Sequence, residues 1–127
     1  LACVEIAAPL IEATRFCRES IASRLHTGFL DATTLMELLV KEGVPLRTAH
    51  EIVGNLVRVC EQKQCALKDL PAEEYEKVRP GFSQRVYPVI GVEQAVQTFC
   101  SVGSTSPNAV QAQLDAWRER LGKLDQI

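Results

Sequence analysis

The chain has 127 residues and a net charge of −2, from 14 basic and 16 acidic side chains. That length makes one domain with its own core, and the near-neutral balance lacks the clustered basic excess that nucleic acid or an anionic membrane surface would need. No apolar run approaches the roughly 18 residues of a membrane-spanning helix. Leu1 opens directly on a helical pattern without a charged-then-apolar leader, as expected of a piece of a longer chain.

Cys3, Ile6, Ala7, Leu10, Ala13, Cys17, Ile21 and Leu25 recur at three- and four-residue steps. This stripe predicts one long helix from Leu1 to about Leu25, with Pro9 kinking or fraying its first turns. His26-Thr27-Gly28 ends it, and Gly28 is free to take the left-handed cap conformation. Asp31 or Thr34 is expected to cap a short second helix. Thr34 with Glu37 fits a capping box, Leu35, Leu38 and Leu39 face inward, and Gly43 closes the helix.

Pro45 opens a third helix, where its missing N–H costs nothing. Ala49, Ile52, Val53, Leu56, Val57 and Cys60 form the cleanest apolar face of the chain. Gly54 interrupts that helix at a cost of about 1 kcal/mol relative to alanine, which points to close backbone packing. Three short segments follow: "DLPAEEYEKV", with Asp69 as cap and Pro71 in the first turn, "FSQRVYPVI", stopped by Pro88, and "GVEQAVQTF". Each must lean on the longer helices. Ser106 caps and Pro107 opens the last helix, whose Val110, Leu114, Trp117, Leu121 and Leu124 make a heptad-like seam. Arg118, Arg120 and Lys123 place positive charge near its negative end. No stretch alternates with period two, so the fold is expected to be all-α.

The five cysteines, Cys3, Cys17, Cys60, Cys65 and Cys100, are odd in number, and no pair is spaced C-x-x-C. His26 and His50 lie far from any ligand-like cluster, so no metal site is expected. The cysteines read as reduced thiols in the core of a cytoplasmic protein.

"KEGVPLRTAHEIVG", from Lys41 to Gly54, has the helix–turn–helix outline of a DNA reader. Its exposed face mixes Arg47 and Arg58 with Glu51 and Glu61, which argues against nucleic acid. Arg47 and His50 share a helix face and are suited to clamp a carboxylate or move a proton. No nucleophile, carboxylate cluster or phosphate cradle completes a site around them. "GSTSP" is explained by helix capping, since no lysine follows the turn.

The stretch from Gly28 to Val78 resembles the C-terminal region of the argininosuccinate lyase family, in the fumarase/aspartase superfamily. Gly28, Phe29, Ala32, Thr33, Lys41, Gly43, Pro45, Arg47, Ala49, His50 and Gly54 fall on that family's pattern. "ALKDLPAEEYEKV", "GSTSP" and "NAVQAQL" are similar to later segments, and the likeness runs to about Leu121. Leu46 stands where the family usually has Phe, and Ser104 replaces the second glycine of a Gly-Gly-Thr.

The resemblance implies that residues 1–27 are the tail of a long helix of the central bundle. Residues 28–127 are then a small helical domain containing a helix-turn-helix-like corner. It also implies a parent that eliminates fumarate from argininosuccinate to give arginine, without metal or organic cofactor, as a homotetramer whose long helices share one bundle. The family's catalytic serine lies on a Ser-Ser-x-Met-Pro-x-Lys-x-Asn loop. The sole methionine here, Met36, precedes Glu37, so that loop is not in this chain. No catalytic residue is therefore expected and no substrate-binding residue is assigned. Gly43, Pro45, Arg47, His50 and Gly54 are expected to organise the corner, with His50 as a hydrogen-bonded packing residue.

Self-association is expected through the Leu1–Leu25 stripe, part of which is expected to fold onto the third helix and the Trp117 helix. The alternative is a stand-alone helical interaction or regulatory module derived from that domain.

Overall fold

A computed structural model describes residues 2–25 and 27–124. Its α-helices are α1 (Ala2–Ala13), α2 (Arg18–Leu25), α3 (Ala32–Lys41), α4 (Leu46–Lys63), α5 (Ala72–Glu76), α6 (Phe82–Val86), α7 (Val92–Gln97) and α8 (Pro107–Leu124). A 3-10 turn, Leu67–Asp69, follows α4. There is no strand among the described residues, and the fold is all-α.

The core is built on the α3–α4 corner. Leu35 and Leu39 of α3 meet Ala49, Val53, Leu56 and Cys60 of α4, all buried. These α4 residues are the expected apolar face, with Ile52 and Val57 only partly buried at its margins. Leu67, Leu70, Tyr75, Phe82, Val86 and Ile90 close over the corner. The short helices that carry Tyr75, Phe82 and Val86 are stabilised by this packing rather than by their own length. The Tyr75 hydroxyl donates to the Leu67 carbonyl at 2.6 Å, and Tyr87 to that of Leu70 at 2.9 Å, so both phenols are anchored as they pack edge to face. Burial pushes the Tyr75 phenol above its ordinary pKa.

Two long-range polar ties fix the frame. The Asp31 carboxylate accepts the Gly91 N–H at 2.9 Å, joining the start of α3 to the start of α7. Glu42, almost fully buried after α3, pairs with Arg79 and, at 2.7 Å, with Arg85.

The structure departs from the sequence reading in several places. The expected single helix over 1–25 is two helices, broken at Thr14–Cys17 rather than at Pro9, which lies inside α1. The Thr14 hydroxyl donates to the Leu10 carbonyl at 2.7 Å, and Arg15 to that of Glu12 at 2.9 Å. These side chains satisfy carbonyls at the end of α1, in place of the N–H groups of a continuing helix. His26, placed at the helix end by its sequence, lies outside the described residues. Thr34 is not a cap but a buried residue inside α3, so the Thr34–Glu37 capping box does not form the start of the helix. Asp69 ends the 3-10 turn, and Pro71 is the residue that leads into α5. Ser106 does cap α8, its hydroxyl accepting the Ala109 N–H at 3.4 Å.

The stripe of α1 and α2 is largely open rather than packed onto α4 and α8, with only Leu25 beside the end of α4 at the cavity described below. Ile6 and Leu10 are each 65% exposed, and α2 has no buried residue. The α8 seam is open as well, with Trp117 55% exposed. Of the cysteines, Cys60 is buried and Cys65 half-buried, while Cys3, Cys17 and Cys100 are exposed rather than core residues.

Candidate functional site: the helical corner

Backbone geometry turns the chain between α3 and α4. Gly43 takes φ +87°, its N–H bonds the Val40 carbonyl at 2.9 Å, and Val44 N–H bonds that of Leu39 at 3.0 Å. This pair of bonds is a Schellman cap, and the positive φ is the reason for glycine. Pro45, with φ −55°, then delivers the chain into α4, its carbonyl accepting from Ala49 N–H at 2.9 Å. Gly43 and Pro45 therefore sit in the turn itself.

Arg47 and His50 do not hold the corner together within this chain. Arg47 is exposed and reaches only Glu51, at 3.9 Å, an ion pair too solvated to contribute much. His50 is exposed, and among the described residues no hydrogen bond reaches its imidazole. Its place as a hydrogen-bonded packing residue is corrected accordingly. The pattern carried the signal. With Ala49, Val53, Leu56 and Cys60 defining the buried side, the helical repeat turns Arg47, His50, Gly54 and Arg58 toward solvent. Gly54 is half-buried, but a Cβ there would meet nothing within 4 Å, so no close packing inside the chain demands the glycine.

Two concave features flank the corner. A cavity of about 580 Å³ lies beyond the end of α4, lined by Phe29, Asp31, Cys60, Cys65, Asp69 and Gly91 among others. Burial, reinforced by the neighbouring Cys65, pushes the Cys60 thiol up to about 12, so it stays protonated at neutral pH. A groove of about 390 Å³ lies between α4 and α5, with Ile52, Leu56, Val59 and Val78 beside Glu74 and Lys77. Glu74 bridges Lys77 and Lys63, which hold its carboxyl below the ordinary value. Neither feature brings a nucleophile together with a base and an oxyanion donor. No group of three or more His, Cys, Asp or Glu side chains among the described residues is placed to hold a metal ion.

The polar anchors Glu42 and Glu76 were missed in the sequence, as was the tie from Asp31, expected only as a helix cap, to Gly91. The Glu76 carboxylate accepts the Ser83 hydroxyl at 2.5 Å and the Gly81 and Ser83 N–H groups at 2.6 and 3.1 Å, capping α6 and holding its own carboxyl below the usual range.

Residues 29–97 match the family described as argininosuccinate lyase C-terminal. The match begins just before α3 and runs to the end of α7, so it contains the corner and its cover. Over 120 residues the chain is 44% identical to argininosuccinate lyase of Rhodopirellula baltica, covering 94% of this chain and 26% of that protein. It is 42% identical over 118 residues to the chloroplastic argininosuccinate lyase of Arabidopsis thaliana, covering 93% of this chain and 23% of that one. The lyase of Alkaliphilus metalliredigens is 40% identical over 108 residues, 85% of this chain and 24% of its own length. The chain thus spans about a quarter of the length of these relatives. On the extent of the match through α3 to α7, the chain belongs to the argininosuccinate lyase C-terminal family.

Proposed function

We propose that the chain is the C-terminal helical part of an argininosuccinate lyase of arginine biosynthesis. That enzyme splits argininosuccinate into arginine and fumarate by β-elimination, and the chain contributes structure to it rather than catalytic groups. The observation that carries this reading is 44% identity over 94% of the chain to a lyase of which it matches only 26%.

The chemistry agrees with such a division of labour. Elimination needs a base beside the carbon that loses its proton. The serine loop expected to bear that base is absent from these 127 residues. The exposed His50 has no partner among the described residues to orient it as a substitute.

On this reading residues 1–27 belong to a central bundle, with the bend at Thr14–Cys17 inside that segment, and residues 28–127 form the small domain. Gly43 and Pro45 set the corner, while Arg47, His50 and Gly54 face outward toward whatever part of the enzyme lies alongside. The open stripes of α1 and α2 pair with other long helices in a homotetramer. No helix of the described residues is long and apolar enough to cross a membrane; the enzyme we propose is cytoplasmic. The purified chain alone should release no fumarate from argininosuccinate. Turnover that survives removal of host lyase would overturn the structural role.

A further inference from the structure

Cys60 and Cys65 are brought together by the way α4 ends. Gln64 adopts the left-handed conformation at φ +52°, its N–H bonds the Glu61 carbonyl at 3.2 Å, and the Cys65 N–H bonds the Cys60 carbonyl at 3.0 Å. This is a Schellman cap with glutamine in the place usually held by glycine. It sets Cys60 and Cys65 at the two positions whose side chains meet across such a cap. Cys60 is fully buried in the core, whereas Cys65 is half-buried and both line the cavity beyond α4. Both are free thiols. Cys65 is thus the more exposed of the two residues, and Cys60 lies in the core beside the same cap. The remaining cysteines, Cys3, Cys17 and Cys100, are exposed singly.

We propose that Cys60 and Cys65 form a dithiol modification site that closes to an intramolecular disulfide on exposure to a low-molecular-weight disulfide such as oxidised glutathione. The Cys65 thiolate attacks one sulfur of the reagent, forming a mixed disulfide and expelling the first thiolate, which takes up the proton lost by Cys65. Cys60 then gives up its proton and attacks the Cys65 sulfur. The mixed bond breaks, and the second reagent thiolate leaves with that proton. Two protein thiols are oxidised to one disulfide while one reagent disulfide is reduced to two thiols. Cys65 is the entry point because it is the more exposed residue of the pair. Cys60 is the resolving thiol, since burial keeps it protonated until the mixed disulfide lies against it. The closed bond would staple the end of α4 and seal one wall of the cavity.

The test is to treat the folded chain with oxidised glutathione, block the remaining thiols and digest with trypsin. Cleavage at Lys63 separates the two cysteines, so the disulfide appears as Val59–Lys63 joined to Gln64–Lys68. The linked peptide is expected in the unmodified chain and should form more slowly in urea, where the cap is gone. Cys60→Ser should accumulate glutathione on Cys65. In Cys65→Ser, with its core cysteine intact, Cys60 should remain unmodified under native conditions. Stable glutathione on Cys65 of the unmodified chain without the linked peptide would overturn the proposal. Linkage at least as fast in urea, or modification of Cys3, Cys17 and Cys100 alone, would do the same.

Discussion

Leu39 has no exposed surface at the hinge of the corner, and its carbonyl closes the cap over Gly43. His50, one residue after the equally buried Ala49, looks into solvent. The two positions should respond oppositely to truncation. Leu39→Ala should cost about 2–5 kcal/mol through lost burial and the cavity left behind. His50→Ala should stay within about 0.5 kcal/mol, the range of ordinary surface changes. Thermal melts of the two variants check this, and a His50→Ala loss as large as that of Leu39→Ala would contradict the placement of the imidazole.

Charge gives a second test among single residues. Hydrogen bonds from Ser83 and Gly81 lower the Glu76 pKa in the folded chain. Its contribution is therefore fully present above the unfolded carboxyl value, near about 4.3, and is lost as pH falls through the lower folded value. Glu74, held down by Lys77 and Lys63, acts in the same direction. Stability should fall on acidification below about pH 4. Ser83→Ala should flatten the part of that fall belonging to Glu76, and identical acid limbs in the two proteins would remove Glu76 from the account.

Among the elements, α4 was the most legible in the sequence. Its buried residues repeat every three or four positions and meet a neighbour close in the chain, so periodicity alone found the face. Such periodicity has no term for Thr14 and Arg15 taking over carbonyls at the end of α1, and one helix was expected where two exist. Nor could it foresee Asp31 reaching Gly91, a contact between segments that only the tertiary fold brings together. The candidate site was half legible. Gly43 and Pro45 carry their backbone roles in their chemistry, whereas Arg47 and His50 were read as organising the corner, His50 by packing, although the polar side of α4 runs through them.

Gly54 belongs to that polar side, and the space around it is open. Gly54→Ala should therefore stabilise the isolated chain by about 1 kcal/mol, raising its melting point by about 4 °C. A destabilised variant would show that something in the chain packs against that glycine after all. If the rest of a lyase lies close against α4, the same change should weaken the assembled enzyme while stabilising the chain, separating the two settings.

For the whole molecule, the compact part extends from α3 to α7, while α1, α2 and α8 carry large apolar side chains in the open. Ile6, Leu10, Ile21, Leu114, Trp117 and Leu121 are all at least 46% exposed. Contiguous apolar faces of this kind mark surfaces that associate. The isolated chain should self-associate at micromolar concentration, and Leu10→Glu should shift it toward the monomer. Light scattering giving a clean 14.0 kDa monomer for the unmodified chain would contradict this.

On the proposed function, the same open helices should be covered when the chain sits within a whole lyase. The most direct measurement is fumarate release by a chimera in which this chain replaces the matching quarter of the Rhodopirellula baltica enzyme, beside that enzyme without its C-terminal quarter. Restored activity in the chimera, with none from the truncated enzyme or from the chain alone, is the predicted result. A folded but inactive chimera, or a truncated enzyme as active as the intact one, would contradict the structural role assigned to the chain.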